Sequence, residues 1–276
     1  LSGDDKATAA ALKKQNKANL KSWQDTEAAN LFAAEELLHE AASVESMADS
    51  TLAELAQKRA AWLRAKGQAA DSRAALAADV FVAAFLLPKL PDPTSIEPQS
   101  NVPSSNLLRL TLKGIPLEAD DQPKAVAAIK VCRAHSVFHW WLAFPQVAAK
   151  GGFAVMLGNP PWERIKLQEE EFFATRSPLV AAAKNKAERA KRIELLRQGL
   201  LLHTLYPDVE AAEGLSPPNH AEMRLHEDFI AARRGAEAAS LYAHDSGRYP
   251  LTGVGDVNTY ALFAESLFQL TAPQGR

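Results

Sequence analysis

The stretch Phe153-Ala154-Val155-Met156-Leu157-Gly158-Asn159-Pro160-Pro161-Trp162 decides how the rest of the chain is read. Its apolar run ends at a glycine, which predicts a short buried strand with a sharp turn after Gly158. Two consecutive prolines stiffen that turn, because each fixes its own φ and holds the residue before it extended. A stiff turn at the carboxyl end of a strand is where open α/β sheets bind their ligands.

The residue types in the turn suit one kind of chemistry. An exocyclic amine on a nucleic-acid base is a poor nucleophile, since its lone pair is delocalised into the ring. The side-chain carbonyl of Asn159 and the backbone carbonyl of Pro160 can accept its two N–H bonds and favour a tetrahedral, more reactive nitrogen. Both acceptors must be rigid, because a misplaced nitrogen misses the in-line path to a methyl donor. The indole of Trp162 can stack on a base taken out of the duplex, and Pro161 stiffens the turn between them. This scheme needs no general base. The competing reading is a proline-rich turn around a core tryptophan.

Phe153–Trp162, with Glu163-Arg-Ile-Lys-Leu-Gln168 and Glu171-Phe-Phe173 after it, resembles the catalytic segment of gamma-class, adenine-specific DNA methyltransferases. The likeness is to the large methylases of restriction–modification and phage-defence systems. Phe138-His-Trp140 through Phe144-Pro145 to Gly151-Gly-Phe153 is similar to the lead-in of that segment. Asn258-Thr-Tyr260-Ala-Leu-Phe263, with the closing Pro273-Gln-Gly-Arg276, resembles the helix that leads towards the next sheet strand. The resemblance implies a Rossmann-like α/β sheet, S-adenosylmethionine as cofactor, and methylation of adenine N6 on a base flipped from double-stranded DNA. It also implies a bacterial or archaeal cytoplasmic setting, with other subunits of a defence system as possible partners. Ala154 stands where family members often carry an acidic residue, a small departure because the acceptors lie beyond Gly158.

A larger departure is the missing cofactor loop. Such enzymes hold the donor with a Gly-x-Gly turn after the first strand and an acidic residue on the ribose. Gly151-Gly152 precedes the catalytic strand, and Gly253-Val-Gly255-Asp256 reads as a turn before a helix, so no cofactor-binding residue is assigned. The chain starts at Leu1 and stops at Arg276, where the next strand is expected. The expectation is an internal, predominantly α-helical piece with few strands, cut from a longer methyltransferase and inactive alone. An alternative from another class is a non-catalytic helical scaffold or DNA-binding subunit that keeps the turn as a remnant.

Composition fits a folded chain: 276 residues, 47% of them hydrophobic, can bury a sizeable core. A single cysteine, Cys132, excludes an internal disulfide framework and suits a reducing cytoplasm; it reads as a small buried hydrophobe. No apolar run is long enough to span a bilayer. The net charge of −2 argues against a dedicated nucleic-acid-binding module, whose affinity comes mainly from Lys and Arg on phosphates. The DNA-contact candidates are Lys184, Lys186, Arg189, Lys191 and Arg192, in one predicted helix after the catalytic segment; a solvated helix with ordinary charge pairs is the competing reading. His135 and His139 are spaced for one helix face, but the glutamate of a metalloprotease helix is absent, and no metal site is expected.

Three regions follow from the composition along the chain. Residues 1–88 are rich in Ala, Leu, Glu and Lys and predict several helices, as an insertion, hairpin or bundle. Thr51 with Glu54 forms a capping box, Leu52, Leu55, Ala56, Ala60 and Leu63 share one face, and Gly67 is expected to close that helix. Residues 89–106 turn to Pro, Ser, Asp and Asn and predict a linker. Residues 107–276 hold the partial catalytic domain. Within it Leu108–Leu112 alternates like a strand, with a helix as the other option, and a helix is predicted from Gln122 to His135. The aromatics Phe138, Trp140, Trp141 and Phe144 read as core packing. A loop is expected over Tyr206–Pro218, a long helix from Ser216-Pro217 to His244, a loop over Asp245–Val257, and a last helix from Asn258 to Thr271.

Overall fold

The computed structural model describes residues 1–21, 35–91, 102–212 and 216–276. The described residues form α1 (Lys6–Lys21), α2 (Glu35–Ser46), α3 (Leu52–Ala70), α4 (Arg73–Leu86), α5 (Ser105–Lys113) and α6 (Gln122–Ala134). Short helices α7 (Trp140–Ala143) and α8 (Pro145–Ala149) lead into the catalytic segment. After it come α9 (Glu169–Ala174), α10 (Pro178–Ala181), α11 (Lys186–Gln198), α12 (Leu201–Leu205) and α13 (Pro207–Ala212). The chain closes with α14 (His220–Asp245) and α15 (Thr259–Leu270). The protein is thus predominantly helical, and none of its described helices is long and apolar enough to cross a membrane.

The apolar side chains gather in two cores, and α14, which at 26 residues spans about 39 Å, packs on α4 beside the first and enters the second. The first gathers Val80 and Ala83 of α4, Leu107 of α5, and Ala128 and Cys132 of α6. Helix α4 can sit among three neighbours because alanines line much of its surface: Ala75, Ala77, Ala78 and Ala83 are all buried, so α5, α6 and α14 approach closely. Helix α4 of the 1–88 region therefore shares its core with helices of the 107–276 region. Arg234 of α14 ties the two together, donating to the Leu87 carbonyl (2.8 Å) and the Leu86 carbonyl (3.2 Å), acceptors that the end of α4 leaves without an intrahelical donor. Phe81, Phe85 and Tyr242 pack edge to face across the same contact.

The second core holds Phe172 and Phe173 of α9, Val180 of α10, Leu196 of α11, Leu201 of α12 and Phe229 of α14. Burial of each such side chain contributes about 1.5–3 kcal/mol. Glu222 of α14 accepts from the backbone amides of Leu201 and Leu202, both at 2.8 Å, and so fixes the start of α12. A carboxylate there also complements the positive end of the helix.

Several elements depart from the sequence-based expectation, each for a local reason. Leu108–Leu112 lies in a helix, α5, not a strand: Ser104 accepts from the Leu107 amide, and Leu107 and Thr111 are buried on one face four residues apart. The Thr51–Glu54 capping box forms in both directions, but α3 runs through Gly67 to Ala70, since one interior glycine costs only about 1 kcal/mol. Its expected inner face is not buried: Leu52, Leu55 and Leu63 are exposed, and α3 leans on α2, α7 and α4 by its other sides. The long helix starts after Asn219 instead of at Ser216, because the Asn219 side chain accepts from the Ala221 and Glu222 amides while the prolines before it hold the chain extended. Part of the expected 206–218 loop is helix α13. The predicted linker falls mostly on 92–101, outside the described residues. Helix α6 matches its expected bounds, and α15 follows Asn258 as expected.

The predicted buried strand is also corrected. Phe153–Gly158 is extended but solvent-facing, with Val155 66% and Leu157 96% exposed. Among the described residues no β-ladder forms; there are two isolated bridges, Phe153 with Thr271 in parallel and Arg164 with Asn258 antiparallel. A lone extended segment with one short partner has no sheet face to bury its side chains against.

Candidate functional site

The arm that carries the motif is fastened at its root to the C-terminal segment. The Phe153 amide donates to the Leu270 carbonyl (2.8 Å), and the Ala272 amide donates to the Phe153 carbonyl (2.9 Å). Further along, the Arg276 amide donates to Ala154 (3.0 Å) and the Met156 amide donates to Arg276 (2.9 Å). Two glycines make the crossing possible. A Cβ on Gly152, whose φ is +130°, would lie 2.6 Å from both the Ala272 nitrogen and the Leu270 oxygen. A Cβ on Gly275 would lie 2.8 Å from the Phe153 oxygen. Phe153 also closes a ring cluster with Trp140 and Phe144, to which Phe138 adds an edge. The rings of Phe138, Trp140 and Phe144 pack on one another, but the expected core is not formed: Phe138 and Trp140 are exposed and Trp141 and Phe144 are only half-buried, because no sheet among the described residues arrives to cover them.

The motif segment itself is held by the start of α15. The Thr259 hydroxyl donates to the Pro161 carbonyl (2.7 Å) and accepts from the Glu163 amide (3.0 Å), while the Thr259 amide donates to the Glu163 carbonyl (3.0 Å). Neither Pro160 nor Pro161 has an amide hydrogen, so the fastening must come through carbonyls and the residues that flank them. Trp162 stacks on Tyr260, with ring centroids 5.5 Å apart and planes inclined by 29°. The indole is 80% exposed, so Trp162 is not a core residue. Asn159 and Pro161 are exposed and Pro160 is half-buried; no sheet among the described residues walls the segment. The sharp turn expected after Gly158 does not form, since residues 155–163 run with neither turn nor bend; along this stretch the Asn159 side chain and the Trp162 indole face solvent.

Charge flanks this surface. Lys166 bonds Asp256 at 2.7 Å, and Arg164 stands 3.9 Å from the same carboxylate. The hydrogen bond and charge of Lys166, with Arg164 behind it, hold the Asp256 carboxyl below the usual carboxylate range. All three side chains are at least half exposed, which keeps the energetic weight of the pairs small. Asp256 belongs to the 246–257 loop, where Gly253 and Gly255 sit in turns as the sequence suggests. That loop is anchored from below by Glu265, a buried carboxylate that accepts from the Leu251 amide (3.1 Å), the Thr252 amide (2.8 Å) and the Thr252 hydroxyl (2.5 Å). Burial alone would raise the Glu265 pKa, but the donors from Thr252, Leu251 and Gln269 together pull it below its ordinary value.

The five cations proposed to meet phosphate divide into two sets. Arg189 is buried, with its guanidinium 3.2 Å from Glu169 and 2.9 Å from Glu170. Arg192 is bound to the Leu179 carbonyl and to Glu188. Both join α11 to its neighbours, and Lys184, Lys186 and Lys191 remain the exposed members.

Cys132 is buried with its thiol against the Asp79 carbonyl, and desolvation followed by the Asp79 charge pushes its pKa up to about 12, so it is no nucleophile. His139 Nε2 lies 2.9 Å from Asp79. Among the described residues no three His, Cys, Asp or Glu side chains converge as a metal site.

Thr259, Tyr260 and Glu265 carry the geometry of this surface and were not singled out as site residues from sequence. Glu265 had a signal of its own: it is the only charged residue in the otherwise apolar α15. No protein-family model, curated protein or solved structure matches the chain.

Proposed function

We propose that this chain supplies the base-orienting segment of a DNA adenine-N6 methyltransferase acting in a restriction–modification or phage-defence system. The observation that carries this reading is the segment Asn159–Trp162 itself, in which Asn159 and the Trp162 indole are exposed on either side of two prolines that stiffen the chain. In it Asn159 and Pro160 accept the two N–H bonds of the adenine amine, and Trp162 stacks on the flipped base. The same acceptors suit cytosine N4, and adenine is favoured by the resemblance of the motif. The parallel contact of Phe153 with Thr271 is compatible with a place in a parallel, Rossmann-like sheet.

S-adenosylmethionine would supply the methyl group, but the residues present do not form its cradle. Gly152 is packed against Leu270–Ala272, and the Gly253 carbonyl is bonded by His244 Nδ1 at 2.6 Å. This chain therefore contributes the amine side of the reaction. The exposed Lys184, Lys186 and Lys191 would add phosphate attraction on double-stranded DNA.

A helical scaffold that docks partner proteins is the second reading, favoured by the exposed apolar face of α3. One comparison separates the two: tritiated methyl transfer to unmethylated DNA by the protein expressed from its complete reading frame, and by its Asn159→Ala variant. Transfer is expected to fall about 100- to 1,000-fold in the variant, with an unchanged melting temperature. Equal transfer by both removes Asn159 from the chemistry, and no transfer by the wild type gives the scaffold the lead.

A further inference from the structure

The start of α15 meets the motif segment through two successive side chains. Thr259 grips the peptide on either side of Trp162 through the Pro161 carbonyl and the Glu163 amide, and Tyr260 lies against the indole face. We propose that Thr259 and Tyr260 are positioning residues of the base-binding segment: Tyr260 backs one face of Trp162, and a flipped base stacks on the other face as the third ring. This inference rests on the methyltransferase reading and adds to it the face that the base uses and the residues that set it.

Three observations support the assignment. The rings are already in contact at 5.5 Å, so a base could enter between them only by forcing them apart. The other face of the indole is open, since Trp162 is 80% exposed and touches no further ring among the described residues. The fastening is also short in sequence, as one hydroxyl and the next ring hold the peptide and the side chain of the same residue. An exposed indole would otherwise sample several rotamers, and a ring held before its ligand arrives loses less freedom on binding. Thr259 acts one step earlier, by fixing the backbone from which the indole projects.

The test uses the full-length protein labelled with 5-fluorotryptophan, with the Trp162 resonance assigned from a Trp162→Phe variant. Tyr260→Ala should move that fluorine resonance, because a stacked ring is removed from one face, whereas Tyr260→Phe should leave it close to the wild-type position. Thr259→Val should broaden or shift it, and Thr259→Ser, which keeps the hydroxyl, should restore it. Tritiated methyl transfer to unmethylated DNA should fall about three- to ten-fold in kcat/KM for Tyr260→Ala, and stay near wild type for Tyr260→Phe. Loss of transfer in Asn159→Ala alongside unchanged transfer in Tyr260→Ala would overturn the backing role and leave the methyltransferase reading intact. If the wild type transfers no methyl group, that reading fails, and the fluorine spectra decide the clasp: an unmoved Trp162 resonance in Tyr260→Ala overturns it, a shifted one upholds it.

Discussion

Phe173 and Trp162 are near neighbours in sequence and live in opposite surroundings. Phe173 is fully buried between Phe172 and Phe229, with both ring centroids at 5.0 Å, whereas Trp162 touches a single ring among the described residues and faces solvent. The first region is held by apolar area removed from water. The second is held by a handful of directed bonds from Thr259, by the crossing of Phe153 with Thr271, and by a loop fixed on Glu265. Stability and the aim of the site are thereby separated. Changes in the arm can alter what the motif segment presents without unfolding the helices, and changes in the core can unfold the helices without any effect peculiar to that segment.

The strongest challenge to that separation is Phe173→Ala, which should cost about 3–5 kcal/mol by removing buried ring volume. Denaturant unfolding followed by helical circular dichroism checks it; a loss below about 1 kcal/mol would mean that the α9–α14 core is not the main support. Glu265→Ala should act locally. The Leu251 and Thr252 amides lose their acceptor, so their hydrogen-exchange protection should drop while amides of α11 and α14 keep theirs. Acid should mimic the substitution. The folded-state pKa of Glu265 lies below its ordinary value of 4.5, so its contribution is fully present above that pH and is lost as pH falls through the lower, folded value. Protection that instead weakened on raising the pH from 5 to 8 would contradict this sign. The smallest effect is expected from Leu157→Ser, within about 0.5 kcal/mol of wild type, because the side chain is 96% exposed.

Helix identity was legible where one strong local signal was present, a cap for α3 and a helical spacing with an early proline for α6. Thr51 with Glu54 marked the start of α3, and Gln122–His135 marked α6, because those signals are local. Leu108–Leu112 was ambiguous for a physical reason: so short a run satisfies a period of two and a period of 3.6 equally well, and the choice depends on Ser104 capping the turn before it. The exposure of Val155 and Leu157 could not be read from their side chains, since apolar residues predict burial only where another element arrives to cover them. The same holds for the face of α3. For the site, Asn159–Trp162 was found by motif, but its fastening was not. Thr259 and Tyr260 lie about a hundred residues further on, and no local pattern states which segment a helix start will touch. Arg189 and Arg192 looked like surface cations because nothing in α11 itself reveals Glu169, Glu170 or the Leu179 carbonyl beside them.

The crossing at Gly152 and Gly275 has a mechanical consequence. Each glycine lets one chain pass another at a distance that a single methyl group would block. From that crossing the chain runs out through Val155 and Leu157 to Asn159 with no sheet to brace it among the described residues. The arm is a span pinned at both ends, by Arg276 at Met156 and by Thr259 at Pro161, and its glycine end has no clearance, so a displacement there is forced onto the span that carries Asn159. Drift at these two positions would thus be felt as lost aim before it was felt as lost fold.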